Sequence, residues 1–109
     1  MAKAPLSQSH ARIHPEFPKL IELTNDFLLG EIWERPGLSK RDRSLITIAA
    51  LITAHRPTQL KGHIERALKN GVTKTEISEV VTHLAFYAGW PSAMVAAQTA
   101  MDAYEAQSG

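Results

Sequence analysis

Ser39-Lys-Arg-Asp-Arg-Ser-Leu-Ile-Thr-Ile-Ala-Ala-Leu-Ile-Thr-Ala-His55 is the stretch on which the fold turns. Ser39 followed by Asp42 reads as a capping box with the shorter carboxylate in place of Glu, and it opens a helix running to about His55. Leu45, Ile48, Ala49 and Ile52 make one apolar stripe on that helix, and Ile46, Ala50 and Ala54 make a second beside it. A helix apolar around most of its circumference belongs in the middle of a bundle, so this one is expected to be central and buried. Its apolar run, Leu45 to Ala54, falls far short of the roughly 20 residues that span a bilayer.

The flanking segments supply the helices that such a bundle needs. Upstream, after Pro15 and Pro18, Leu20, Ile21, Leu23, Phe27, Leu28, Ile32 and Trp33 recur at helical spacing. Pro36-Gly37 stops that helix near Glu34. Downstream, Pro57 suits the first turn of a third helix, with Leu60, Ile64, Ala67 and Leu68 as its buried stripe and Asn70-Gly71 as its stop. Thr73 and Glu76 form a capping box for a fourth helix, with Ile77, Val80, Val81 and Leu84 inward and an end at Gly89. Pro91 restarts a fifth, whose alanines Ala93, Ala96, Ala97, Ala100 and Ala103, with Met94 and Met101, let another helix approach closely. No segment alternates with β-branched residues between hairpin turns, so no sheet is expected. The prediction is an all-α bundle of about five helices over residues 15–109, preceded by an N-terminal tail or arm over residues 1–14.

Composition narrows the function classes. The chain has 109 residues, 44% of them apolar, which fits one small domain. Lys+Arg number 12 against 11 Asp+Glu, and this mixed, nearly neutral balance argues against binding nucleic acid or an anionic membrane. With no cysteine, disulfides, thiolate catalysis and iron–sulfur clusters are excluded. A domain of this size buries only roughly 65% of the surface its unfolded chain exposes, so a partner subunit is expected. Met1-Ala-Lys-Ala-Pro5 lacks the apolar core of a signal peptide, and a cytoplasmic protein is expected.

Five histidines raise the question of a metal. His63 and His83 are on different predicted helices, with no His-x-x-x-His or Glu-x-x-His pair beside them, and His10 and His14 lie in the tail. No bound metal is therefore expected. There is no Gly-x-Ser-x-Gly and no Gly-rich phosphate loop. What remains is a polar set on the third helix, where Arg56, Gln59, His63 and Arg66 recur at three- and four-residue steps on one face. That face is either simply solvated, or it puts His63, next to Leu60 and Ala67, at the edge of a pocket where a neutral imidazole moves a proton near pH 7. His83 sits between Glu79 and Tyr87 on the fourth helix, as a surface pair or with Glu79 holding the ring's tautomer. Arg35, Arg41 and Arg43 are surface charges or carboxylate clamps. Trp33 and Trp90 read as core or interface anchors.

Two stretches carry a family resemblance. Gly30-Glu-Ile-Trp-Glu-Arg-Pro-Gly-Leu38, running on through Arg43-Ser-Leu-Ile-Thr-Ile-Ala-Ala-Leu51, resembles the central segment of the carboxymuconolactone decarboxylases of aromatic compound degradation. Gln59-Leu-x-x-His63, Asn70-Gly-Val-Thr73, Glu76-Ile-x-Glu79 and Ala85-Phe-Tyr-Ala-Gly-Trp-Pro91 resemble the second half of the same family. The resemblance covers residues 25–100. It implies the all-α fold shared with alkylhydroperoxidase AhpD-like proteins and a homo-oligomer, trimeric or hexameric, with sites near subunit contacts. The AhpD-like branch works through Cys-x-x-Cys-x-x-x-His; aligned on His63, its cysteine positions fall on Arg56 and Gln59, so thiol peroxidase chemistry is excluded. The decarboxylase pattern commonly has an acidic residue before Gln-Leu, and that position is Thr58 here.

The reaction this resemblance implies is loss of CO2 from 4-carboxymuconolactone, giving an enol-lactone of 3-oxoadipate without any cofactor. The departing carboxylate leaves its electrons in a dienolate, which an enzyme must stabilise at oxygen and protonate at carbon. The resemblance points to His63 and Gln59 as catalytic, for proton transfer and for donation to the developing oxyanion. Arg43 or Arg35 would anchor the substrate's other carboxylate, Trp33 would wall the pocket, and His83 is a further substrate-binding candidate. Two other functions fit the same residues: a cysteine-independent peroxidase-like or isomerase activity, and a non-catalytic oligomeric protein that binds a small molecule.

Overall fold

The computed structural model describes residues 6–108. They form α1 (Gln8–Ile13), α2 (Pro18–Glu22), a π-helical segment (Leu23–Ile32), α3 (Lys40–Thr53), α4 (Pro57–Lys69), α5 (Lys74–Ala88) and α6 (Trp90–Ser108). No strand occurs among the described residues, and the fold is all-α. Contacts divide the chain into two units, one ending at Leu38 and the other beginning at Ser39.

In the first unit the expected single regular helix is not what forms. Within the stretch read as a tail, Ser7 caps α1 by accepting from the His10 amide at 3.2 Å. After α2 the backbone widens into π turns, ending with the Trp33 amide on the Leu28 carbonyl five residues back. Two local features favour the wider turn. The Thr24 hydroxyl donates to the Leu20 carbonyl at 2.8 Å, competing with the α-helical ladder. A Cβ at Gly30 would stand 3.2 Å from the Asn25 carbonyl oxygen, so glycine makes room for that carbonyl five residues back. Ile21 and Trp33 are buried, whereas Leu20, Leu23, Phe27 and Leu28, all expected on the apolar stripe, are exposed.

The second unit follows its caps. Ser39 Oγ accepts from the Asp42 amide at 3.0 Å to start α3. Thr73 and Glu76 complete both halves of a capping box at the start of α5, at 3.1 and 3.0 Å. Glu76 also takes the Arg41 guanidinium, joining the first turns of α3 and α5. Positive backbone φ at Gly71 (97°) and Gly89 (100°) ends α4 and α5 where the sequence marks a stop. His55, at φ 56°, makes the left-handed turn between α3 and α4.

These ends fix which faces meet. Ile48 and Ile52 of α3 pack with Leu60 and Ile64 of α4 in one core that also takes Val72 and Ile77. α6 lays Ala96, Ala100 and Ala103 into that core, and their small side chains let α4 and α5 come close to it. Burial of each isoleucine contributes about 1.5–3 kcal/mol. The second apolar stripe of α3 differs from expectation, since Ile46 is 57% exposed and Ala50 and Ala54 are exposed as well. α4, α5 and α6 pack along one part of the α3 circumference, and in this unit no helix covers the rest.

Candidate functional site

The polar set on α4 takes its form from the helix it rides on. Leu60, Ile64 and Ala67 turn into the core, which leaves His63 and Arg66 on the flank, each half-buried. Asn70 lies on the same flank two turns beyond His63, and its side-chain amide donates to the Ser44 hydroxyl of α3 at 2.9 Å. This bond ties the C-terminal end of α4 to the first turns of α3. Next to Ser44, Arg43 is half-buried with its Nε shielded from solvent, and its carbonyl accepts from the Thr47 hydroxyl at 2.7 Å. Gln59 is exposed one turn before His63, and Thr58 is exposed beside it. Arg56 folds back at the start of α4, its Nη1 donating to the Ala54 carbonyl at 2.9 Å.

Electrostatics single out His63. Burial lowers its pKa below the ordinary value of 6.5, and the neighbouring Arg66 guanidinium lowers it further. The imidazole is therefore neutral at pH 7, able to accept a proton or to donate through N–H.

His83 occupies different surroundings. It lines an open groove of 440 Å³ between α3 and α5, together with Leu45, Ile46, Ala49, Glu79, Val80 and Leu84. Its ring stacks on Tyr87 with centroids 4.9 Å apart. Ser44 meets Asn70 at the end of α4, whereas Leu45, Ile46 and Ala49 line the groove with α5. His63, Gln59 and Arg43 do not line the groove. Trp33 and Arg35 lie in the first unit, Trp33 buried and Arg35 exposed.

Sequence reasoning passed over the groove's apolar wall, which depends on α3 and α5 pairing. It also placed Arg66 on the face of His63 without reading its effect on the imidazole; the three-residue step from His63 was the available signal. Beyond the groove, Phe86 (76% exposed) meets Trp90 (59% exposed) edge to face at 5.8 Å, and Met94 is exposed one turn further on. Among the described residues no group of three His, Asp or Glu side chains could hold a metal ion, and no helix is long and apolar enough to cross a membrane.

Comparison with known proteins finds curated relatives of similar sequence. A 4-carboxymuconolactone decarboxylase of Acinetobacter baylyi is 40% identical over 79 residues, covering 72% of this chain and 59% of the relative. A nitrosuccinic acid decarboxylase of Metarhizium robertsii is 41% identical over 75 residues, covering 69% of this chain and 52% of the relative. The chain thus spans between half and three fifths of the length of these curated relatives. The sequence model of the carboxymuconolactone decarboxylase family matches residues 18–102. From the start of α2 to the last turns of α6, the chain belongs to the carboxymuconolactone decarboxylase family.

Proposed function

We propose that the chain is a cofactor-independent decarboxylase of a small carboxylated lactone such as 4-carboxymuconolactone, with His63 as its proton-transfer group. The observation that carries this reading is the half-buried, neutral imidazole of His63 beside a guanidinium. Support comes from the names of the two relatives at 40% and 41% identity, each a decarboxylase.

In this reading Arg43 anchors the carboxylate that stays. As the other leaves as CO2, its bonding electrons pass into the conjugated carbonyl, and the Gln59 amide N–H donates to that oxygen as its charge grows. Donation that strengthens only as charge develops raises kcat rather than merely lowering KM. His63 then relays a proton from solvent to the carbanionic carbon, taking one up as it gives one and returning to neutral, and the lactone ring stays closed. Arg35 and Trp33 enter through the family resemblance alone.

In this reading the substrate lies at the His63 flank, outside the groove that His83 lines. His83 would therefore reach the substrate from a second copy, in a trimer or hexamer. The exposed cluster of Phe86, Tyr87, Trp90 and Met94 supports such an assembly, since an apolar patch of this kind marks a contact surface.

The test is CO2 release by the purified protein from 4-carboxymuconolactone and, separately, from nitrosuccinate. Turnover of the lactone is expected. Thermal stabilisation by the lactone with no CO2 would instead indicate a binding protein, a role with which Thr58 in the acidic position is consistent. Peroxide consumption without added thiol would indicate the peroxidase-like alternative.

A further inference from the structure

We infer that the groove between α3 and α5 is a second binding site, which takes a small organic cation with an apolar body, an alkyl or arylalkyl ammonium. It lies apart from the proposed decarboxylation site, since His63, Gln59 and Arg43 do not line it.

The hollow comes from side-chain sizes on two paired helices. On α3, Ala49 follows Ile46 by three residues and Leu45 by four, so a lone methyl group stands one turn beyond two long side chains on the same face. Val80 and Leu84 of α5 form the facing wall. The resulting 440 Å³ falls within the roughly 300–1,000 Å³ of small-molecule sites. Leu45, Ala49, Val80 and Leu84 are half-buried and Ile46 is exposed, so an apolar body laid in the groove takes this wall out of water.

Charge selects the kind of occupant. The polar groups of the lining are Glu79 and His83, one turn apart on α5, and no Lys or Arg lines the groove. The cations nearby in sequence are held elsewhere: Arg41 by Glu76 and Asp42, and Lys74 over the Tyr104 ring with its Nζ 4.8 Å from the centroid. Lys40 and Arg43 have interactions of their own. Among the described residues the Glu79 carboxylate meets neither a cation nor a hydrogen-bond donor. Stacking on Tyr87 holds the His83 ring at the edge of the groove.

An ammonium docked there pairs with Glu79 while its apolar body lies on the wall. A neutral alcohol of the same shape keeps the hydrogen bond and loses the charge attraction. A carboxylate faces Glu79 with no cation in the lining to offset it. The exposed Phe86, Trp90 and Met94, the surface suited to a second copy, are uncharged and do not line the groove, so they offer nothing for Glu79.

The experiment is an NMR titration of the full chain, following the His83 ring and the Ile46 and Leu84 methyl groups. The probes are phenethylamine, 2-phenylethanol and 3-phenylpropanoate at matched ionic strength. Phenethylamine is expected to move all three groups and to bind about fivefold more tightly than 2-phenylethanol, the worth of an exposed ion pair. The propanoate should bind more weakly than either. Glu79→Gln should bring the amine down to the alcohol and leave the alcohol unchanged. Ala49→Leu, which fills the hollow, should remove the methyl shifts from both, with circular dichroism confirming that each variant is folded. Equal binding of amine and alcohol, an amine preference that survives Glu79→Gln, or methyl shifts that survive Ala49→Leu would each overturn the inference. So would a groove already filled by a second copy, in which no probe moves His83 until Ile46→Asp separates the copies in size-exclusion chromatography. No CO2 release enters these readouts, so they are independent of the decarboxylase reading.

Discussion

His63 and His83 sit mid-helix in the same unit and differ in nearly everything that determines an imidazole's chemistry. His63 is half-buried, backed by the core through Leu60 and Ile64, with a guanidinium one turn away. His83 is exposed in an open groove, stacked on Tyr87 and four residues beyond Glu79. The contrast teaches that helical spacing puts a histidine on a face, while burial and the nearest charge decide what that face can do.

Removing the support beneath each site should separate them most strongly. Ile64→Ala, under the His63 flank, is expected to cost about 2–5 kcal/mol in urea unfolding. Ile46→Ala, on the groove wall, should stay within about 0.5 kcal/mol in the monomer. Equal losses would mean that the groove is as much a part of the core as the flank. Next in size is Gln59→Ala, which should lower kcat on the order of 10²-fold with an unchanged melting temperature, as loss of an oxyanion donor does. A change in KM alone would assign Gln59 to substrate binding instead.

Asn70→Ala tests the tie between the end of α4 and α3. It leaves the buried Ser44 hydroxyl without its donor and should cost about 1–3 kcal/mol. The smallest effect is on pH dependence. Because the folded pKa of His63 lies below its unfolded value of 6.5, the unfolded chain takes up the proton first as pH falls. Stability is thus unaffected by this group above about pH 6.5 and is lost below it, until pH passes the folded value. Urea melts at stepwise lower pH should show this loss in the wild-type chain and a flatter profile in His63→Gln.

Much of the second unit was legible in the sequence because its helix ends are written in local chemistry: Ser39, the Thr73 and Glu76 box, Asn70-Gly71 and Gly89. The first unit was less so. Apolar periodicity reads the same for an α-helix and for a helix widened by the Thr24 hydroxyl and by the absence of a side chain at Gly30. Periodicity also cannot say what covers an apolar face, which is why the Ile46 side of α3 read as buried. At the site, spacing brought Gln59, His63 and Arg66 to one face of α4. That His83 lines a groove against α3 while His63 stays outside it depended on how the helices pair, which no local pattern encodes.

The most direct test of the central claim is CO2 release from 4-carboxymuconolactone by the wild-type chain, His63→Ala and His83→Ala, all checked for folding. The account predicts turnover in the wild type, a loss of at least about 10²-fold in His63→Ala, and a smaller loss in His83→Ala. A His63→Ala chain that keeps full kcat would contradict it.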